Sequence, residues 1–121
     1  MKNEMVNQTT AILAPSLVVS FGDFGAQHDQ VSINVFNYSA ENIARDFSGE
    51  LFISGEKIGE KKVDVIVFCG SHSHITALPT SMYFQTKQEY YDKRQSAIFK
   101  YSYYDRTGKI KFSDEITYNR E

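Results

Sequence analysis

Two short stretches hold most of the residues whose types and spacing suggest chemistry. The first is Phe-Cys-Gly-Ser-His-Ser-His at 68–74. Side chains alternate along a strand, so His72 and His74 would share one face, and two neutral imidazoles on one face make half of a zinc site. Regular alternation puts Cys69 on the opposite face, unless a bulge at Gly70 turns it. His28 or Asp29 would then have to supply a further ligand from a distance. The chain has no second ligand pair of recognisable spacing. A glycine–serine turn with solvated histidines is therefore the expectation, with no metal and with His72 and His74 kept only as candidates. As a nucleophile, Cys69 would need a third orienting group and an oxyanion hole. After the apolar run VDVIVF it reads as a small packed hydrophobe.

The second stretch, Glu-Tyr-Tyr-Asp-Lys-Arg-Gln at 89–95, interleaves aromatic and basic residues. Tyrosine faces stack on nucleobases, and Lys and Arg pair with phosphates. Tyr90, Tyr91, Lys93 and Arg94 thus suit an anionic ligand of nucleotide size. The plain alternative is a connecting segment whose tyrosines cap the core and whose charges are solvated. Lys100, Lys109 and Lys111 add positive charge to one outer face if the strand register aligns them. No glycine-rich phosphate loop, CxxC pair, Ser-His-Asp signature or HExxH motif occurs. Asp114 and Glu115 are adjacent and would point to opposite faces, so no paired acid–base site is expected. Neither an enzyme nor a cofactor is expected.

These residues must be carried by strands. At 121 residues the chain is long enough for one core and one domain. Its 41% hydrophobic and 23% charged composition is that of an ordinary globular protein. Nine Phe and eight Tyr, with no Trp, suit pleated surfaces. A net charge of -2 gives no general attraction for long nucleic acid. No apolar run approaches the roughly 20 residues that span a bilayer. Residues 1–14 read as a short helical lead-in stopped by Pro15, and 15–121 as the β domain. Strands are expected at 16–21, 30–36, 49–54, 63–69, 75–85, 96–105 and 109–119, with 55–62 as a charged loop. In the fourth of these, Val63, Val65 and Val67 oppose Asp64, Ile66 and Phe68. Pro79 breaks the fifth, which is expected as an edge strand or two short ones, and Arg106-Thr107-Gly108 closes a final hairpin. About seven short strands with little helix between them indicate an all-β fold, an immunoglobulin-like sandwich or a small barrel.

The segments Q-T-T, P-S-L-V-V-S-F, I-N-V-F-N-Y-S-A-E-N-I-A-R and Y-S-Y-Y-D-R-T-G-K-I-K-F carry a resemblance. In this order they resemble the β-rich soluble domain of small bacterial membrane-anchored proteins, among them two-transmembrane antiphage effectors that sense cyclic nucleotides. Residues 37–44 match the turn after the second strand and 103–108 the final hairpin, positions that imply fold rather than chemistry. The resemblance implies a non-enzymatic sensing module at the cytoplasmic face of the cell membrane, anchored by a segment absent from this chain. It also implies a cyclic nucleotide as ligand. The alternative is a protein–protein or homo-oligomerisation module, pairing through strand edges near Pro79 without a small ligand.

Overall fold

The computed structural model describes residues 15–25, 30–69, 79–86 and 96–118. The described residues form seven strands and no helix: β1 (Leu17–Gly25), β2 (Gln30–Asn37), β3 (Ala44–Ile53), β4 (Glu56–Ile66), β5 (Thr80–Gln85), β6 (Ala97–Tyr104) and β7 (Lys111–Tyr118). They make two antiparallel sheets, ordered β1-β2-β5 and β4-β3-β6-β7. The all-β expectation and the count of strands stand. The expected lead-in helix at 1–14 lies outside the described residues.

Alternation explains which faces turn inward. Val31, Ile33 and Val35 of β2 and Met82 and Phe84 of β5 are buried on one sheet. From the other sheet, Phe47, Leu51 and Ile53 of β3, Ile66 of β4, and Ala97 and Phe99 of β6 meet them in a single core. Both sheets thus solve the same problem, hiding one apolar face each against the other. Phe99 sits at the centre. Phe84 approaches it edge-on at 6.0 Å, and Phe47 stacks beside it at 6.4 Å. Gly49 lies directly beneath this ring, where a Cβ would overlap it. Glycine there is a requirement of packing rather than of backbone angle.

The structure corrects the expected charged loop at 55–62. The turn is only Ser54 and Gly55, at φ 52° and 82°. Two successive left-handed residues are the geometry of a tight hairpin that matches strand twist. Residues 56–62 are therefore the first half of β4, and β3 begins at Ala44, five residues before the expected start at 49. Polarity hid this strand because it is an edge. Lys57, Glu60, Lys61 and Lys62 are exposed along it, and such charge discourages pairing with foreign strands. The second half also differs. Asp46 adopts φ 50° and breaks the β3–β6 register between Arg45 and Ser48. Across from this kink Ile66 is the buried residue, whereas Val65 and Val67 are exposed. β5 is an edge strand, as Pro79 implied.

Asn37, fully buried at the end of β2, joins the two sheets. Its Nδ2 donates to the carbonyls of Asn42, at 2.9 Å, and of Ile66, at 3.0 Å. Its Oδ1 accepts the Ser39 N–H at 2.9 Å, and its own carbonyl accepts the Cys69 N–H at 2.9 Å. Asn37→Asp keeps the shape but removes both donated bonds and turns a buried charge toward two carbonyl oxygens. We expect a loss of about 3 kcal/mol or more, read as a lower urea midpoint with an unchanged slope.

Toward the end of β6 the core opens. Tyr101 and Tyr103 continue the stack from Phe47, at 5.7 and 6.3 Å, but remain half-buried. Burial, and then the nearby Asp114 carboxylate, push the Tyr101 phenol up to about 12. A phenol whose pKa is raised on folding leaves stability intact below the ordinary value of 10.0 and drains it above. The melting temperature should fall between pH 10 and about 12, and Tyr101→Phe should flatten that fall in a pH-resolved thermal scan.

Candidate functional site

On the outer face of the four-stranded sheet, register builds a feature that spans strands. Ser48 of β3 faces Ser102 of β6, and Ser102 faces Ser113 of β7. Three hydroxyls thus line up across three adjacent strands, roughly 5 Å apart from one to the next. Each serine follows an aromatic residue (Phe47, Tyr101, Phe112) whose ring takes the inner face. The small outward residues leave a shelf between taller neighbours. It forms an open depression of about 500 Å³ lined by the three serines, by Lys100 and Lys111, by Tyr101 and by the carboxylates of Glu50, Asp114 and Glu115. A second depression of about 410 Å³ shares Ser48, Ser102 and Lys111 and continues toward Lys62 and Tyr104.

Charge around the shelf is unevenly committed. Lys57 bridges Glu50 at 2.8 Å and Glu60 at 3.1 Å, and Lys62 reaches Glu60 at 3.6 Å. The hydrogen bonds to Glu50 and then Glu60 hold the Lys57 ammonium above its ordinary value, and Lys57 holds the Glu60 carboxyl below its own. Lys100 and Lys111 instead lie over aromatic rings. Lys100 sits 5.1 Å from the Phe52 centroid and Lys111 6.0 Å from that of Tyr104. Among the described residues neither makes an ion pair. In register, Lys100 lies opposite Glu115 on one side of the serine row, and Lys111 opposite Tyr104 on the other. Two ammonium groups therefore bracket three hydroxyls. A phosphate or carboxylate on this shelf would meet donors from both sides.

The residues singled out from the sequence are only partly brought together. Lys100 and Lys111 share the outer face, as the alternation implied. Lys109 falls in the turn, where its N–H donates to Asp105 Oδ1 at 3.2 Å. Tyr90, Tyr91, Lys93 and Arg94 lie outside the described residues, as do His72, His74, His28 and Asp29. Cys69 is half-buried beside Asn37. Among the described residues no group of three or more His, Cys, Asp and Glu side chains is placed to hold a metal ion. Sequence reasoning missed the serine row, although its signal was present. Phe-Ser, Tyr-Ser and Phe-Ser recur on three strands, but Ser48 falls just before the expected start of the third strand at 49.

Asp105 fixes the hairpin that positions Lys111. It is enclosed by its own turn, with Oδ1 accepting from the Thr107 hydroxyl at 2.7 Å and the Ile110 N–H at 3.3 Å. Enclosure raises the carboxyl pKa, but hydrogen bonds from the Thr107 side chain and from the backbone of Ile110, Lys109 and Thr107 outweigh it, and the net shift is downward. From β3, Arg45 Nε donates to the Arg106 carbonyl at 2.6 Å and ties the turn to the sheet.

No protein-family model and no curated protein matches the chain. Among solved structures, a crystal structure of a protein from Archaeoglobus fulgidus is similar at a TM-score of 0.43 and 10% identity, over 89% of this chain and 98% of that one. Likeness at that level carries no information on function.

A carboxyl with its folded pKa depressed contributes stability at neutral pH that drains as pH falls below the ordinary value of 3.8. Asp105→Asn should remove that contribution. We expect a lower melting temperature at pH 7 and a shallower decline from pH 5 to pH 2, measured by calorimetry.

Proposed function

We propose that this domain is a non-enzymatic binding module that takes a small anionic ligand on the outer face of its four-stranded sheet. The observation that carries the reading is the bracketing of the serine row by Lys100, which lies in register between Glu50 and Glu115, and Lys111, neither of them in an ion pair among the described residues. A ligand phosphate offers more to these ammonium groups than a ring face does, so binding displaces a modest contact for a stronger one. The openness of the shelf favours reversible binding over catalysis, which gains from excluding water.

The finer fold reading is an immunoglobulin-like sandwich. It is supported by one core shared between a three-stranded and a four-stranded sheet, by connections that repeatedly cross between them, and by the lack of a ladder joining the sheets among the described strands. The resemblance to membrane-anchored effectors puts cyclic nucleotides first among ligands to try. It makes Tyr90, Tyr91, Lys93 and Arg94 a second contact set, and the inner face of the cell membrane the expected location. Among the described residues no helix is long and apolar enough to cross a membrane. A second reading, a protein-binding module without small ligand, is favoured by the exposed Val65, Val67 and Phe68 at the end of β4.

A thermal-shift panel of inorganic phosphate and cyclic di- and trinucleotides tests both. Ligand at 100 times its dissociation constant should add about 2.7 kcal/mol of stability. Lys100→Gln and Ser102→Val should abolish that gain while leaving the unliganded melting temperature within a few degrees. Loss of the gain in Arg94→Ala alone would move the site to the second contact set, and silence across the panel would favour the protein-binding reading.

A further inference from the structure

β7 ends the four-stranded sheet, and among the described residues no strand pairs with its outer edge. β1 comes near at the Tyr118 end, where Phe21 and Tyr118 lie 5.4 Å apart. Lys111, Ser113, Asp114 and Glu115 are exposed along the middle. Such an edge offers a row of unpaired backbone groups to any strand able to match it.

The sequence of β7 matches itself. A twofold axis perpendicular to the sheet keeps outer side chains on the outer face, so a copy of β7 can pair antiparallel only in registers that set outer residues against outer ones. With Ser113 opposite Ser113, Lys111 falls opposite Glu115 of the second copy, and Glu115 opposite its Lys111. Both ion pairs form on the same face, at the short cross-strand spacing where opposite charges attract. Sliding by one alternation toward the C-terminus sets Asp114 against Asp114 and Lys111 against Thr117. Sliding the other way centres the pair on Phe112 and moves the partner of Glu115 to Lys109, which lies in the turn and outside β7. One register is therefore selected. Asp114, exposed at this edge opposite Tyr101, penalises the alternative and protects the edge from unrelated strands.

We propose that this chain forms a symmetric homodimer through β7, joining two four-stranded sheets into one of eight. The serine rows then meet at Ser113 and run without a break from Ser48 of one copy to Ser48 of the other. The two depressions abut across the seam, so each copy contributes to the other's shelf. Dimerisation does not require the ligand reading, since it engages the Lys111 ammonium that the shelf would offer to an anion, and its test uses no ligand.

Sedimentation velocity over a concentration series of the 121-residue chain should show a monomer–dimer equilibrium. Lys111→Glu and Glu115→Lys, each alone, replace two attractive pairs with two repulsive ones and should weaken the dimer roughly thirtyfold. Mixing the two variants restores attraction at both positions and should recover the dimer as a heterodimer. Circular dichroism checks that each variant is folded. Should a reversal unfold the domain, Glu115→Gln reads the same contact with a smaller loss. A wild-type chain that stays monomeric at its solubility limit overturns the proposal. So does a dimer indifferent to the reversals, or a mixture that stays monomeric.

Discussion

Everything built on the two sheets depends on how Asn37 holds them together. Apolar burial draws the inner faces against each other, but burial is non-directional and sets neither register nor crossing points. Asn37 supplies direction. One amide reaches the connection toward β3 through Asn42 and the end of β4 through Ile66, while its backbone carbonyl receives Cys69. Both polar atoms of its side chain are hydrogen-bonded, so it avoids the penalty that a half-satisfied buried amide would incur. One residue thus ties two other chain segments, the connection at 39–42 and the end of β4, to the end of β2 at the point where the chain passes between sheets.

From that anchor, β3 enters at Ala44 with its position set, and β3 decides the outer face. Its left-handed residue at Asp46 shifts the pairing with β6 so that Ser48, rather than its neighbour, stands opposite Ser102. A one-residue difference would have turned Phe47 outward and Ser48 into the core, since the side-chain period is two. The serine row and the Phe47–Tyr101–Tyr103 stack are therefore two sides of one register. The shelf outside exists because the rings inside pack where they do.

What the sequence made legible follows the same physics. β2 and β6 alternate cleanly because each is a central strand with one buried face, and both were readable within a residue or two. The faces of β6 and β7 were readable because each strand alternates, which allowed Lys100 and Lys111 one outer face once the register aligned them. β4 was half missed because an edge strand is partly solvated: Glu56 to Lys62 carry charge where a central strand would carry valine. The inward position of Ile66 was illegible because it depends on a kink in the neighbouring strand and on an amide from the other sheet. The serine row escaped notice because no local motif contains it. It is assembled from three strands, and its spacing exists only across hydrogen-bonded ladders.

Edges follow different rules on the two flanks of this sheet. β4 displays Lys57, Glu60, Lys61 and Lys62 in close order, and Lys57 and Lys62 are already paired within the chain. A strand arriving there would have to compete with satisfied ion pairs. β7 spaces its outward charges with Ser113 between Lys111 and Glu115, and neither makes an ion pair among the described residues. Pairing within the chain quiets the first edge, whereas the second keeps two opposite charges symmetric about a small residue. That contrast lies within a single chain, before any partner is considered. It makes β7 the side of the sheet on which an additional strand gains both backbone hydrogen bonds and charge complementarity.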